Sequence, residues 1–131
     1  MKLLYLVPVL LLTGCTSLST LFTAPSTFDS TLYDRTISLW FESQADVTSC
    51  GTPAINEQIL TLNRESKQLV KYTEYASKDL NSSFVLVDKA ISEMNSVYQI
   101  GTPSTAYCKI KLEIIGDDLD AILQGIGGKS K

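Results

Sequence analysis

The chain has 131 residues, 44% of them hydrophobic, with 11 basic and 14 acidic side chains and a net charge of −3. Charges of both signs are interspersed and no basic block occurs, which argues against nucleic-acid binding and against electrostatic adhesion to anionic lipid. Histidine is absent, and with it the commonest general base near neutral pH and the commonest metal ligand, so the reading is of a non-enzyme without metal or cofactor.

Residues 1–14 fall into three parts: Met1-Lys2 is a short positive region, residues 3–12 are apolar, and Thr13-Gly14 are small. This is the layout of an export leader. Ten apolar residues make about 15 Å of helix, roughly half the hydrocarbon core of a bilayer, so a membrane span is not expected. Leu12-Thr13-Gly14-Cys15 resembles the lipobox of bacterial lipoproteins. The resemblance implies that the Cys15 thiol takes a diacylglycerol, that the chain is cut before it, and that the new amine is acylated with a fatty acid such as palmitate. Thr16 stands where the family signal for inner-membrane retention would be Asp, which points to the periplasmic face of the outer membrane. Two or three acyl chains hold a protein far more firmly than the marginal binding of one.

Cleavage before Cys15 leaves about 117 residues, enough for one small domain with a modest core. Residues 15–28 carry the lipidated Cys15 and a Ser/Thr-rich stretch without charge, read as a flexible tether. From residue 29 to 131 the pattern is helical. A first helix is predicted over Ser30–Val47, with Leu32, Tyr33, Ile37, Trp40 and Phe41 at helical spacing. "TISLWF" has strand propensity, but no second convincing strand is available to pair with it. "GTP" at 51–53 can end one helix and start the next, with Thr as cap and Pro in the first turn.

The second helix is predicted to run to about Asp79, with a seam of Ile55, Ile59, Leu62, Ser66, Leu69, Thr73, Ala76 and Leu80. Its alternating steps of four and three are the heptad period of a bundle. "NSS" at 81–83 reads as turn and cap, and a third helix then aligns Phe84, Val87, Ile91, Met94 and Tyr98. A second "GTP" at 101–103 precedes a fourth helix with the cleanest seam, Cys108, Leu112, Ile115, Leu119, Ile122 and Ile126, interrupted by nothing but a possible kink at Gly116.

Four helices with short connections imply an all-α, up-down-up-down four-helix bundle. That topology carries Cys50, at the end of the first helix, to the same pole as Cys108 near the start of the fourth. An oxidising compartment then favours a disulfide over two buried thiols or a zinc site lacking its other ligands. Closing a loop of about 60 residues is worth roughly 4 kcal/mol in the chain-entropy treatment.

Few residues carry recognisable chemistry. Asp117, Asp118 and Asp120 lack the alternating oxygen ligands and turn glycine of a calcium loop. Glu57, Glu65 and Glu74 interleave with Arg64, Lys67, Lys71 and Lys78 as solvated helix partners. No G-x-S-x-G or phosphate-cradling loop occurs. "NSS" has the form of a glycosylation acceptor, which means little in a bacterial lipoprotein. What exceeds the needs of a core is apolar surface around Trp40 and Phe41, and around Phe84 and Leu86, the candidate partner-binding residues.

The expected function is therefore a non-enzymatic, lipid-anchored periplasmic adaptor that binds an envelope protein. In layout, though in no motif beyond the lipobox, it resembles the pilotins of type II secretion, which bind a short segment of an outer-membrane secretin. The alternatives are a phage- or plasmid-encoded exclusion or immunity lipoprotein and an inhibitor of an envelope enzyme.

Overall fold

The structure, a computed structural model, describes residues 28–128; the leader, Cys15 and the tether up to residue 27 lie outside the described residues. Four helices make up the body: α1 Ser30–Val47, α2 Ala54–Ala76, α3 Lys78–Ile100 and α4 Thr105–Gly127. Each buries one narrow stripe spaced in threes and fours. The buried positions are 32, 36, 39, 43 and 46 on α1, and 55, 59, 62, 66, 69 and 73 on α2. On α3 they are 84, 87, 91 and 94, and on α4 they include 108, 112, 115, 119, 122 and 126. A shared period near 3.5 lets all four stripes stay in register along a common axis, the condition for nearly parallel helices packed side by side.

The helices form a ring in which each packs on its sequence neighbours and α4 closes back on α1, with the α2–α3 and α1–α4 seams the most extensive. Hydrogen bonds fix the direction of α3 against α2. Asn81 Nδ2 donates to the Val70 carbonyl at 3.0 Å and to Thr73 Oγ1 at 3.1 Å. Further along, Ser66 Oγ donates to Asp88 at 2.7 Å, and Ser92 Oγ donates to Asn63 Oδ1 at 2.9 Å. Partners rise on one helix as they fall on the other, so the pair is antiparallel. Lys67 Nζ sits 3.3 Å from Asp88 and 3.1 Å from Ser92 Oγ and completes this polar ladder.

Three buried hydroxyls on the stripes donate within their own helices. Thr36 Oγ1 donates to the Leu32 carbonyl at 2.7 Å, Ser43 Oγ to Trp40 at 2.6 Å and Thr73 Oγ1 to Leu69 at 2.9 Å. Such back-bonding removes the cost of burying a hydroxyl and leaves a small side chain where neighbouring helices approach. α1 and α4 approach closely at Gly116 on α4, where the place a Cβ would take is filled by the Gln44 side-chain amide, with Ser43 Oγ 3.6 Å away. α4 runs unbroken through this glycine.

Two details differ from the sequence reading. α2 ends at Ala76 and α3 begins at Lys78, so the chain reverses at the single residue Ser77, with φ −152° and ψ 69°. Residues 81–83 lie inside α3, and Asn81 reaches back to α2 instead of capping. The exposed Ala76 and half-buried Leu80 leave the α2 seam for the same reason. On α1 the core stripe is Leu32, Thr36, Leu39, Ser43 and Asp46, whereas Tyr33, Ile37 and Trp40 are half-buried and Phe41 is exposed.

The two "GTP" copies also do different jobs. Neither threonine caps a helix: Thr52 Oγ1 donates back to the Ser49 carbonyl at 2.7 Å, and α4 is capped by Ser104, whose Oγ accepts the Tyr107 N–H at 3.1 Å. Gly51 has φ +86°, and a Cβ there would lie 2.8 Å from Thr105 Oγ1. Gly101 is extended at φ 179° and faces open space. Cys50, just before the first copy, and Cys108, just after the second, form a disulfide, 58 positions apart in the chain and 5.7 Å between Cα atoms.

The contrast between the glycines gives a paired expectation. Gly51→Ala should destabilise by about 2 kcal/mol, from left-handed backbone strain and the Thr105 contact. Gly101→Ala should change stability by less than about 0.5 kcal/mol. Chemical denaturation of the two variants checks both. Reducing the disulfide should separately remove roughly 4 kcal/mol.

Candidate functional site

α1 presents Leu32, Thr36, Leu39, Ser43 and Asp46 to the core, and its aromatic side chains and Ile37 stand to one side of that stripe. Tyr33, Ile37, Trp40 and Phe41 project along the junction with α4 and meet Asp120, Leu123, Gln124 and Gly127 there. Together they line an open groove of about 470 Å³. The Trp40 and Phe41 rings meet edge to face at 4.9 Å and 76°, a favourable aromatic geometry. Phe41 is nevertheless 61% exposed. An aromatic side chain so exposed on a well-formed helix contributes little to folding.

The four candidate partner-binding residues are thus separated. Trp40 and Phe41 share the groove between α1 and α4. Phe84, at 1% exposure, belongs to the core and is not available at the surface. Val85 and Leu86 are the exposed members of that apolar run, at 44% and 69%. Leu86 lies on a smaller groove of about 220 Å³ on the other side of α4, with Val87, Asp118 and Ile122. Leu123 and Asp120 are members of the larger groove that the sequence reading did not select.

A second feature was hidden in the sequence. Across the seam between α1 and α2, Glu42 hydrogen-bonds Glu65, and Asp46 lies close enough to feel the Glu65 charge. Burial, the Glu65 hydrogen bond and the charges of Glu65 and Asp46 push the Glu42 carboxyl up to about 7, against a smaller opposing pull from Arg64. Burial and Glu65 push Asp46, 6% exposed, up to about 6. Gln58 lines the same cleft as Glu42 and Asp46, and its buried Oε1 has no donor. Glu65 is therefore part of an inter-helix carboxyl cluster and not simply a solvated partner on its own helix. Among the described residues no three acidic or cysteine side chains converge closely enough to hold a metal ion, and no helix is long and apolar enough to cross a membrane.

The folded state holds protons on Glu42 and Asp46 more tightly than the unfolded chain, whose ordinary values are 4.5 and 3.8. Stability should therefore fall as pH rises from about 4 through about 7 and then level off. Thermal unfolding should give a higher midpoint at pH 5 than at pH 8. In Glu42→Gln, which keeps the hydrogen bond without the charge, that difference should shrink to less than half.

No family model, curated protein or solved structure matches the chain.

Proposed function

We propose that the protein is a lipid-anchored adaptor on the periplasmic face of the bacterial outer membrane, which holds a segment of an envelope protein in the groove between α1 and α4. The observation that carries this reading is the placement of Trp40 and Phe41. The core stripe of α1 is complete without them, yet the helix holds both aromatics, with Ile37 and Leu123, around one concavity. The lipobox-like Leu12-Thr13-Gly14-Cys15 supplies the anchor in this reading, and the missing histidine and missing catalytic motifs favour binding over catalysis. The likeness to type II secretion pilotins is one of layout: an anchor, a brief tether and a helical body of about 100 residues.

Cross-linking in native cells, followed by mass spectrometry, tests the reading. The lipidated protein should capture one dominant envelope protein. Phe41→Glu should lower that capture at least tenfold while changing stability by less than about 0.5 kcal/mol, since the ring is exposed. Cys15→Ala should leave the precursor uncleaved and without acyl chains. A partner captured equally well by Phe41→Glu would remove the groove from the mechanism. Full biological activity in a soluble form lacking the anchor would instead favour an inhibitor, which needs only its surface.

A further inference from the structure

We infer that the groove between α1 and α4 is built for a cationic amphipathic segment. The segment would be seated as a short helix, its apolar face on Trp40, Phe41 and Leu123 and its lysine or arginine side chains toward acidic margins. The inference rests on the adaptor reading above and specifies the chemistry of the partner.

From Tyr33 to Phe41 the groove follows α1 for about 12 Å, close to two turns of helix. A docked helix of that length offers anchors at i, i+3 or i+4, and i+7, the spacing by which amphipathic helices engage grooves. The concavity is mostly apolar, with Asp120 as the single ionisable carboxyl in its lining.

Charge decides what flanks those anchors. Beyond Lys111, α4 carries Glu113, Asp117, Asp118 and Asp120 and has no basic residue through Gly128. At 100° per residue, Glu113 and Asp117 share the groove side of α4 with Asp120, and both are exposed. On α1, exposed Asp34 stands beside Ile37 and Phe41 at the opposite margin. The only base on α1 is Arg35, and its guanidinium lies 5.4 Å above the Tyr72 ring, toward α2. Asp120 accepts a hydrogen bond from Gln124 Nε2 at 3.0 Å, a neutral donor that leaves its charge in place. Among the described residues the ion pairs are Lys67–Asp88 and Lys71–Glu74, on α2 and α3, and none uses the acids of the groove.

An apolar floor with negative margins selects a segment that is apolar on one face and positive on its flanks. The exposed Phe41 ring adds a surface on which a lysine or arginine can rest by cation–π attraction. An anionic segment would set like charges against Asp34, Asp117 and Asp120. A second copy of this chain is disfavoured for the same reason, because a two-fold contact through this groove would oppose the same acids to one another.

Trp40 is the one tryptophan in the chain, so its emission reports occupancy of the groove directly. The full lipidated protein, held in nonionic micelles, would be titrated with two synthetic peptides, each about four helical turns long. One carries leucines at helical spacing with lysines elsewhere; the other replaces every lysine with glutamate. The lysine peptide should shift the Trp40 emission and bind at least tenfold more tightly than the glutamate peptide, and its binding should weaken as salt is raised. The double variant Asp117→Lys, Asp120→Lys, altered only at exposed positions, should reverse that order. Equal affinities for the two peptides, or an order unchanged in the double variant, would overturn the cationic assignment. If neither peptide shifts Trp40 while Phe41-dependent capture persists in cells, the cationic assignment fails and the adaptor reading stands. Loss of both results would sink the two together.

Discussion

The pairing of the first helix with the last governs the rest of this molecule. α2 and α3 need only a one-residue reversal at Ser77 to meet, and a polar ladder from Asn81 to Ser92 sets their register. α1 and α4 have the whole intervening chain between them, so bringing them together carries the largest loop-closure entropy in the fold. Three local features offset it where the two helices converge. Cys50 and Cys108 are bonded, Gly51 turns through a left-handed conformation beside Thr105, and Gly116 lets α4 settle against Ser43 and Gln44. The groove lies along the same junction further toward the other pole, so its width is set by how this pair is held.

That junction also explains why α1 is built as it is. A helix that faced the core with Tyr33, Ile37, Trp40 and Phe41 would stand further from both neighbours. With Thr36 and Ser43 on the core side instead, each hydroxyl closed on a carbonyl of its own helix, α1 packs closely, and the bulky side chains turn outward. The same rotation places Glu42 and Asp46 against Glu65 on the α2 side. One choice of stripe thus produces both an aromatic concavity and a proton-holding seam.

The helical class, the bounds of α1, the α4 seam and the cysteine pair were legible because they depend on period and topology alone. Every position from Ile55 to Thr73 assigned to the α2 seam is buried, Ser66 and Thr73 included. The same logic applied to α1 would have found its stripe, since Leu32, Thr36, Leu39, Ser43 and Asp46 keep the four-three alternation. Hydrophobicity drew the reading toward the neighbouring aromatics instead. Ser77 was not legible because no glycine, proline or asparagine marks it, while "NSS" four residues later carries the conspicuous turn composition. The split fate of Phe84 and Leu86 needed the packing of α3 against α4. The Glu42–Glu65 contact needed the lateral fit of α1 against α2, which no single-helix pattern encodes.

The position of the disulfide has a mechanical meaning. A partner seated between α1 and α4 would touch two helices that are joined covalently where α1 ends and α4 begins. Tension between the start of α1 and such a cargo would reach its α1 contacts directly, and its α4 contacts along α1, across the sulfur bridge and into α4. The α2–α3 hairpin, spliced between Cys50 and Cys108, would sit in a covalently closed bypass outside that path. In a tethered carrier this layout would divide labour within about 100 residues, one helix pair bearing load while the other keeps the core assembled.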